Sequence, residues 1–182
     1  MLISQYHMTY HDIAALPDFI RCYEIREGEL IMNPAPSVNH QEILARLMLI
    51  FGLHNPDRKQ GRYFSAPLDV VLREDLTVQP DILYVSNNRA EIVQEQYVLG
   101  APDLCIEILS PRTADDDSNV KYRYYKEAGV REYWIVNPFA KTLTVYDLAN
   151  ETEIEYGEEQ IAISILPELD GLQVDIDALF AT

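Results

Sequence analysis

Glu107 interrupts an otherwise apolar run, Leu104-Cys105-Ile106-Glu107-Ile108-Leu109. An ionised carboxylate inside an apolar strand costs several kcal/mol unless it is neutralised, paired with a cation or bound to metal. Asp69 poses a similar problem within Pro67-Leu68-Asp69-Val70-Val71-Leu72, and Asp81 sits at the mouth of another apolar run, directly after Pro80. Asp81 and Glu107 are 26 residues apart, on two separate predicted strands. Adjacent strands lie about 4.8 Å apart, so two carboxylates on one face can share an ion. Asp103 also follows a proline, but it lies four residues from Glu107 on the same strand, roughly 13 Å away, so those two cannot ligate one metal while the strand stays extended. Oxygen ligands suit Mg²⁺ or Mn²⁺, and no Cys or His cluster argues for zinc. A carboxylate-held ion of this kind polarises a phosphoryl oxygen and lowers the pKa of a bound water, the chemistry of phosphodiester hydrolysis. The competing reading is a Glu–Arg or Glu–Lys pair that ties strands together.

The elements that must position these acids can be read from periodicity. Thr9 to Leu16 suggests a short helix capped by Thr9 and ended by Pro17. Tyr23-Glu24-Ile25 and Leu30-Ile31-Met32 flank a Gly28 turn and predict a hairpin. A helix is expected from about His40 to Phe51, with Asn39 as N-cap, Glu42 completing a capping box, and Gly52 and Pro56 ending it. Strands follow at Ala66–Leu72, Ile82–Val85 and Leu104–Leu109, the last two apolar enough to be covered on both faces. A helix between Asp115 and Ala128 stops at Gly129. Glu132–Val136 and Thr142–Tyr146 read as antiparallel neighbours. The acidic stretch Glu151–Glu159 reads as a solvated edge strand and turn, and Leu172–Phe180 as a short strand or helix closing the core. The class is α/β (α+β), a mixed sheet with helices against it.

The 182 residues fit one domain spanning 1–182. No long apolar run predicts a membrane span, and Met1–His7 lacks the pattern of a signal peptide, so a cytoplasmic location is expected. Cys22 and Cys105 sit in apolar stretches as buried thiols, with no metal or disulfide pattern. The net charge of −16 opposes tight autonomous binding to a polyanion, which depends largely on phosphate neutralisation.

Several motifs then converge. They are Tyr23-Glu24-Ile25 with Gly28-Glu29-Leu30, Ser37 to His40, Pro80-Asp81, Ala101 to Pro111, Lys121 through Tyr125, and Gly129 to Pro138. Over nearly the whole chain this pattern resembles the Uma family, described as restriction endonucleases and assigned to the PD-(D/E)XK nuclease fold. The resemblance implies a restriction-endonuclease-like fold and a Mg²⁺-dependent nuclease core, with Asp81 as the motif's Asp and Glu107 as its second acid. The in-strand lysine of the parent motif is replaced by Leu109. The family pattern moves that lysine to the following helix, at Lys121, with Tyr125 one turn further on the same face. Asp69 and His40 also match family positions.

Each of these residues has a plainer reading. Lys121 would serve as a solvated helix lysine, and Asp115, Asp116 and Asp117 as helix-capping charge. Glu42 is either a metal-site carboxylate of the N-terminal helix or simply part of a capping box. Asp69 is either a third acid or a partner for Arg or Lys. The tyrosines near Tyr122–Trp134 read chiefly as packing. The leading expectation is a metal-dependent DNA endonuclease. Asp81 and Glu107 hold Mg²⁺ or Mn²⁺, Lys121 serves the transition state, His40, Glu42 or Asp69 completes the site, and a homodimer suits cleavage of both strands of a duplex. The rival is a non-catalytic binding or assembly module that keeps the nuclease fold.

Overall fold

Apolar alternation organises the chain around a central sheet whose two faces are both covered. The computed structural model describes residues 7–14, 23–33, 35–111 and 116–181. Within these the order begins α1 (Tyr10–Ala14), β1 (Tyr23–Arg26), β2 (Glu29–Met32), α2 (Val38–His54), β3 (Gly61–Ser65), β4 (Asp69–Arg73), β5 (Leu76–Val78), β6 (Ile82–Ser86), β7 (Tyr97–Leu99) and β8 (Leu104–Ile108). It continues through a π-helical turn (Asp116–Lys121), α3 (Tyr122–Ala128), β9 (Glu132–Asn137), β10 (Thr142–Asp147), β11 (Thr152–Tyr156), β12 (Ile161–Ile163), β13 (Gln173–Asp175) and α4 (Ile176–Leu179). The six-stranded sheet has the order β11-β10-β9-β8-β6-β3, a five-stranded sheet the order β2-β1-β5-β4-β7, and β12 pairs with β13. The pair β8–β9 is parallel while β6–β8 and β9–β10 are antiparallel, so the central sheet is mixed.

Side-chain alternation along β6, β8 and β9 divides the core. Ile82, Tyr84, Leu104, Ile106, Ile108, Trp134 and Val136 pack with Ile43, Leu47 and Phe51 of α2 and with the C-terminal residues Leu169 to Leu179. Each fully buried aliphatic or Phe side chain of α2 contributes about 1.5–3 kcal/mol. Leu83, Val85, Cys105, Leu109, Tyr133 and Ile135 face the other way, against Val70, Leu76, Val78 and Val98 of the five-stranded sheet and Tyr124 and Tyr125 of α3. Glu107 belongs to this second face by register, which aims it at α3 and the five-stranded sheet. A second buried carboxylate, Glu132, moors the C-terminal segment. It accepts hydrogen bonds from Trp134 Nε1, Ser164 Oγ and the Ile165 and Leu166 amides.

The hairpin, the paired β9–β10 strands, the exposed edge strand β11 and the closing β13–α4 segment lie where expected. Glu27 (φ 53°) and Gly28 (φ 82°) form the hairpin's two-residue turn with both φ positive, which the Gly makes inexpensive. Gly129 (φ 89°) ends α3 in the left-handed conformation. Other boundaries differ. The N-cap of α2 is Ser37, whose side chain accepts from the His40 amide at 3.2 Å. The helix starts at the first good cap after Pro36, two residues ahead of Asn39, so His40 rather than Glu42 occupies the third helical position and no capping box forms. The expected strand Ala66–Leu72 begins only at Asp69, after a turn at Ala66–Leu68, and β3 precedes that turn. The expected Asp115–Ala128 helix opens with a π-helical turn, a feature common at functional sites. Pro17, Cys22 and Asp115, and the side chains of Asp116 and Asp117, lie outside the described residues. Cys105 is buried and free. No helix among the described residues is long and apolar enough to cross a membrane.

Candidate functional site

The central strands position the two acids that the sequence singles out. Ile82 pairs with Ile106 and Leu83 with Cys105, and this antiparallel register continued by one residue sets Asp81 opposite Glu107. Cβ atoms of residues so opposed lie about 4.5–5.5 Å apart. The Ile108 amide donates to Asp81 Oδ2 at 2.7 Å, which fixes the Asp81 carboxylate at the end of β8. His40 Nε2, from the first turn of α2, lies 3.0 Å from the same oxygen. Both of these contacts end on Oδ2.

Glu107 is held from α3. Lys121 Nζ donates to its Oε1 at 2.8 Å and Tyr125 Oη donates to the same oxygen at 2.7 Å. Lys121 ends the π-helical turn and Tyr125 lies four residues on, so one helical face delivers both donors. Burial, with the negative Glu107 beside it, pushes the Tyr125 phenol far up, so the hydroxyl stays a donor. Lys121 is itself buried and also lies 3.0 Å from Oε1 of Glu24, a residue of β1 with no exposed surface. Arg26 Nη2 contacts the other Glu24 oxygen at 2.6 Å, and the Gln79 amide donates to Oε1 at 3.1 Å. Burial works to raise the Glu24 carboxyl. Lys121, Arg26 and the Gln79 amide outweigh it and hold the group below its usual range. The Gln79 side chain turns the other way and donates to Asp69 Oδ1 at 2.7 Å.

His40, Gln79, Asp81, Glu107, Ser110 and Lys121 line one pocket of about 660 Å³, together with the apolar Leu44, Pro36, Pro67 and Pro111. A family model described as "Putative restriction endonuclease" matches residues 10–177. The chain belongs to this Uma2 family. An uncharacterised protein of Synechocystis sp. is 23% identical over 158 residues, covering 86% of this chain and 84% of its own. The crystal structure of a "putative nuclease belonging to DUF820" from Anabaena variabilis superposes with a TM-score of 0.80 at 22% identity, over 95% of this chain and 97% of that one. The Uma2 chain thus shares that protein's fold.

Of the residues singled out in the sequence, the fold gathers Asp81, Glu107, Lys121 and His40 at the pocket, with Tyr125 fully buried and bonded to Glu107. Asp69 stands one layer behind, reached through Gln79. Glu42 is exposed on α2, while its neighbours His40 and Gln41 line the pocket. Asp103 is occupied elsewhere, at the far end of the strand. It accepts from the Ser86 amide at 2.7 Å and pairs with Arg89 at 3.1 Å and Arg131 at 2.9 Å. Sequence reasoning missed Glu24 and Gln79. The signal for Glu24 was an acid between Tyr23 and Ile25 in a strand, but alternation alone reads that position as the solvent face of a hairpin.

A divalent ion fits the donor set. Asp81 and Glu107 would offer hard oxygen ligands from opposed positions, and Glu24, Asp69, Asp81 and Glu107 outnumber Lys121 and Arg26 by two charges. Among the described residues no three His, Cys, Asp or Glu side chains form a ready-made cage. Mg²⁺ needs none, because it usually keeps several waters and takes one or two carboxylates.

The buried acids also set a pH dependence. Burial works against the charged form of Asp103, yet the Ser86 amide, Arg89 and Arg131 hold its carboxyl below the ordinary 3.8, as Glu24 is held below 4.5. A folded pKa below the unfolded one gives stability that is present above the unfolded value and lost as pH falls through the folded value. Burial raises the Glu132 carboxyl, so its contribution runs oppositely and is lost as pH rises. Urea midpoints should therefore fall steeply from about pH 4.5 downwards, and Asp103→Asn should flatten that slope. An unchanged slope in the variant would show that Asp103 gains nothing from its arginines.

Proposed function

We propose that this protein is a metal-dependent DNA endonuclease in which Asp81 and Glu107 hold Mg²⁺ or Mn²⁺. The observation that carries the reading is the shared register position of these two acids, with an ammonium beside one of them. The ion, when bound, supplies a polarised phosphoryl oxygen and a more acidic water. Ile108 and His40 fix Asp81 through Oδ2 and leave Oδ1 for the ion. Lys121, with its Cα on the helix rather than in the place of Leu109, supplies the positive charge that the parent motif draws from the strand, and it stabilises charge developing on the phosphoryl oxygens. Tyr125 orients Glu107, and Gln79 links Asp69 to the back of the site. Water adds to phosphorus and loses a proton to solvent as the bond to the leaving sugar oxygen breaks, and that oxygen takes up a proton from solvent. Relaxation of supercoiled plasmid that requires Mg²⁺ or Mn²⁺ and stops with a chelator is the expected result. Plasmid that stays supercoiled with either ion overturns the endonuclease reading.

A second reading, a nuclease-fold module that binds or assembles without cutting, draws on one observation. The cations are largely committed to acids: Arg73 to Asp75, Arg89 and Arg131 to Asp103, Arg123 to Glu27 and Lys126 to Glu151. Among the described residues few remain to track a phosphate backbone. Metal binding without any plasmid cleavage would favour this module.

A further inference from the structure

Lys121 is buried between two carboxylates from different sheets, Glu107 on β8 and Glu24 on β1, at 2.8 Å and 3.0 Å. Only Glu107 borders the pocket together with Asp81; Glu24 lies behind, with no exposed surface. Lys121 and Tyr125 both donate to Oε1 of Glu107, and an ion on either oxygen of that carboxylate draws on the same negative charge and repels the ammonium. A divalent cation and the lysine therefore compete for Glu107. A buried ammonium that lost its only carboxylate would face a large desolvation cost.

We infer that Glu24 is a positioning residue, the second seat that keeps Lys121 buried and in place when Glu107 turns to a metal ion. This rests on the metal reading above. Arg26 holds Oε2 of Glu24 and the Gln79 amide shares Oε1 with Lys121, so the carboxylate is fixed before any ion arrives. Glu24 touches neither the pocket nor the proposed ligands. Its effect on the ion must pass through Lys121.

The test is Mn²⁺ titration by calorimetry of the wild type, Glu24→Gln, Lys121→Met and the double variant, each first checked for a cooperative urea transition. Glu24→Gln should weaken Mn²⁺ binding roughly tenfold or more, the scale for groups that support a metal's ligands. Adding Lys121→Met to Glu24→Gln should restore the affinity to that of Lys121→Met alone, because the competitor is gone. A merely structural Glu24 would leave its loss intact in the double variant, and that result overturns the inference. So does unchanged affinity in Glu24→Gln. Should Glu24→Gln fail to fold, Glu24→Asp keeps the charge one methylene further back and should show a smaller loss of the same kind; wild-type affinity in Glu24→Asp, with the lysine seat shortened, counts against the inference. Absence of Mn²⁺ binding in the wild type overturns the metal reading and this inference together, whereas binding that ignores Glu24 overturns this one alone.

Discussion

Replacing Lys121 by methionine should cost about 3–5 kcal/mol of stability, the scale for removing one partner of a buried ion pair. The ammonium sits between Glu24 and Glu107, and its loss leaves two buried carboxylates facing each other at the wall of the pocket. Methionine fills much the same volume, so packing contributes little of the loss. The same variant should regain stability in Mn²⁺, because a cation on Glu107 replaces the missing charge, and adding Glu24→Gln should recover part of the loss without metal. Urea melts with and without Mn²⁺ measure all three. A change below about 1 kcal/mol would mean that the ammonium is screened like a surface ion pair.

Asp81→Asn should reduce plasmid nicking about 10²- to 10³-fold while leaving the fold intact. Asparagine keeps a carbonyl oxygen to accept the Ile108 amide, so the end of β8 stays fixed. It loses the negative charge that the ion needs, and the loss of several kcal/mol of transition-state stabilisation corresponds to that drop in rate. The comparison is initial nicking rate at saturating Mg²⁺, with thermal melting as the control for folding. Nicking at the wild-type rate in Asp81→Asn would place the chemistry somewhere else.

The positions of Asp81 and Glu107 were legible because each stands against an apolar run, and buried strands tolerate no idle carboxylate. The flanking strands β6, β8 and β9 were legible for the same reason: continuous apolar runs identify central strands covered on both faces. Lys121 was different. Nothing in its spacing from Glu107 says that the two touch, and the expectation came from the resemblance to the Uma family. Glu24 was not legible as a site residue because its partner lies almost a hundred residues away and its strand looks like half of an ordinary hairpin. The start of α2 was misplaced because Ser37 and Asn39 are equally good caps by type, and only the fold shows that the helix reaches the earlier one. The three-residue strands β5 and β7 are too short for alternation to register. Each gains its place from neighbours in the five-stranded sheet.

The central claim is that two opposed carboxylates share one hard cation. A crystal soaked in Mn²⁺ tests it most directly, through the anomalous signal of the ion. The ion should lie between β6 and β8, about 2.1 Å from one oxygen of Asp81 and one of Glu107, with waters completing its shell. An ion bound elsewhere, or no ion at saturating Mn²⁺ with Glu107 still held by Lys121 and Tyr125, would contradict it.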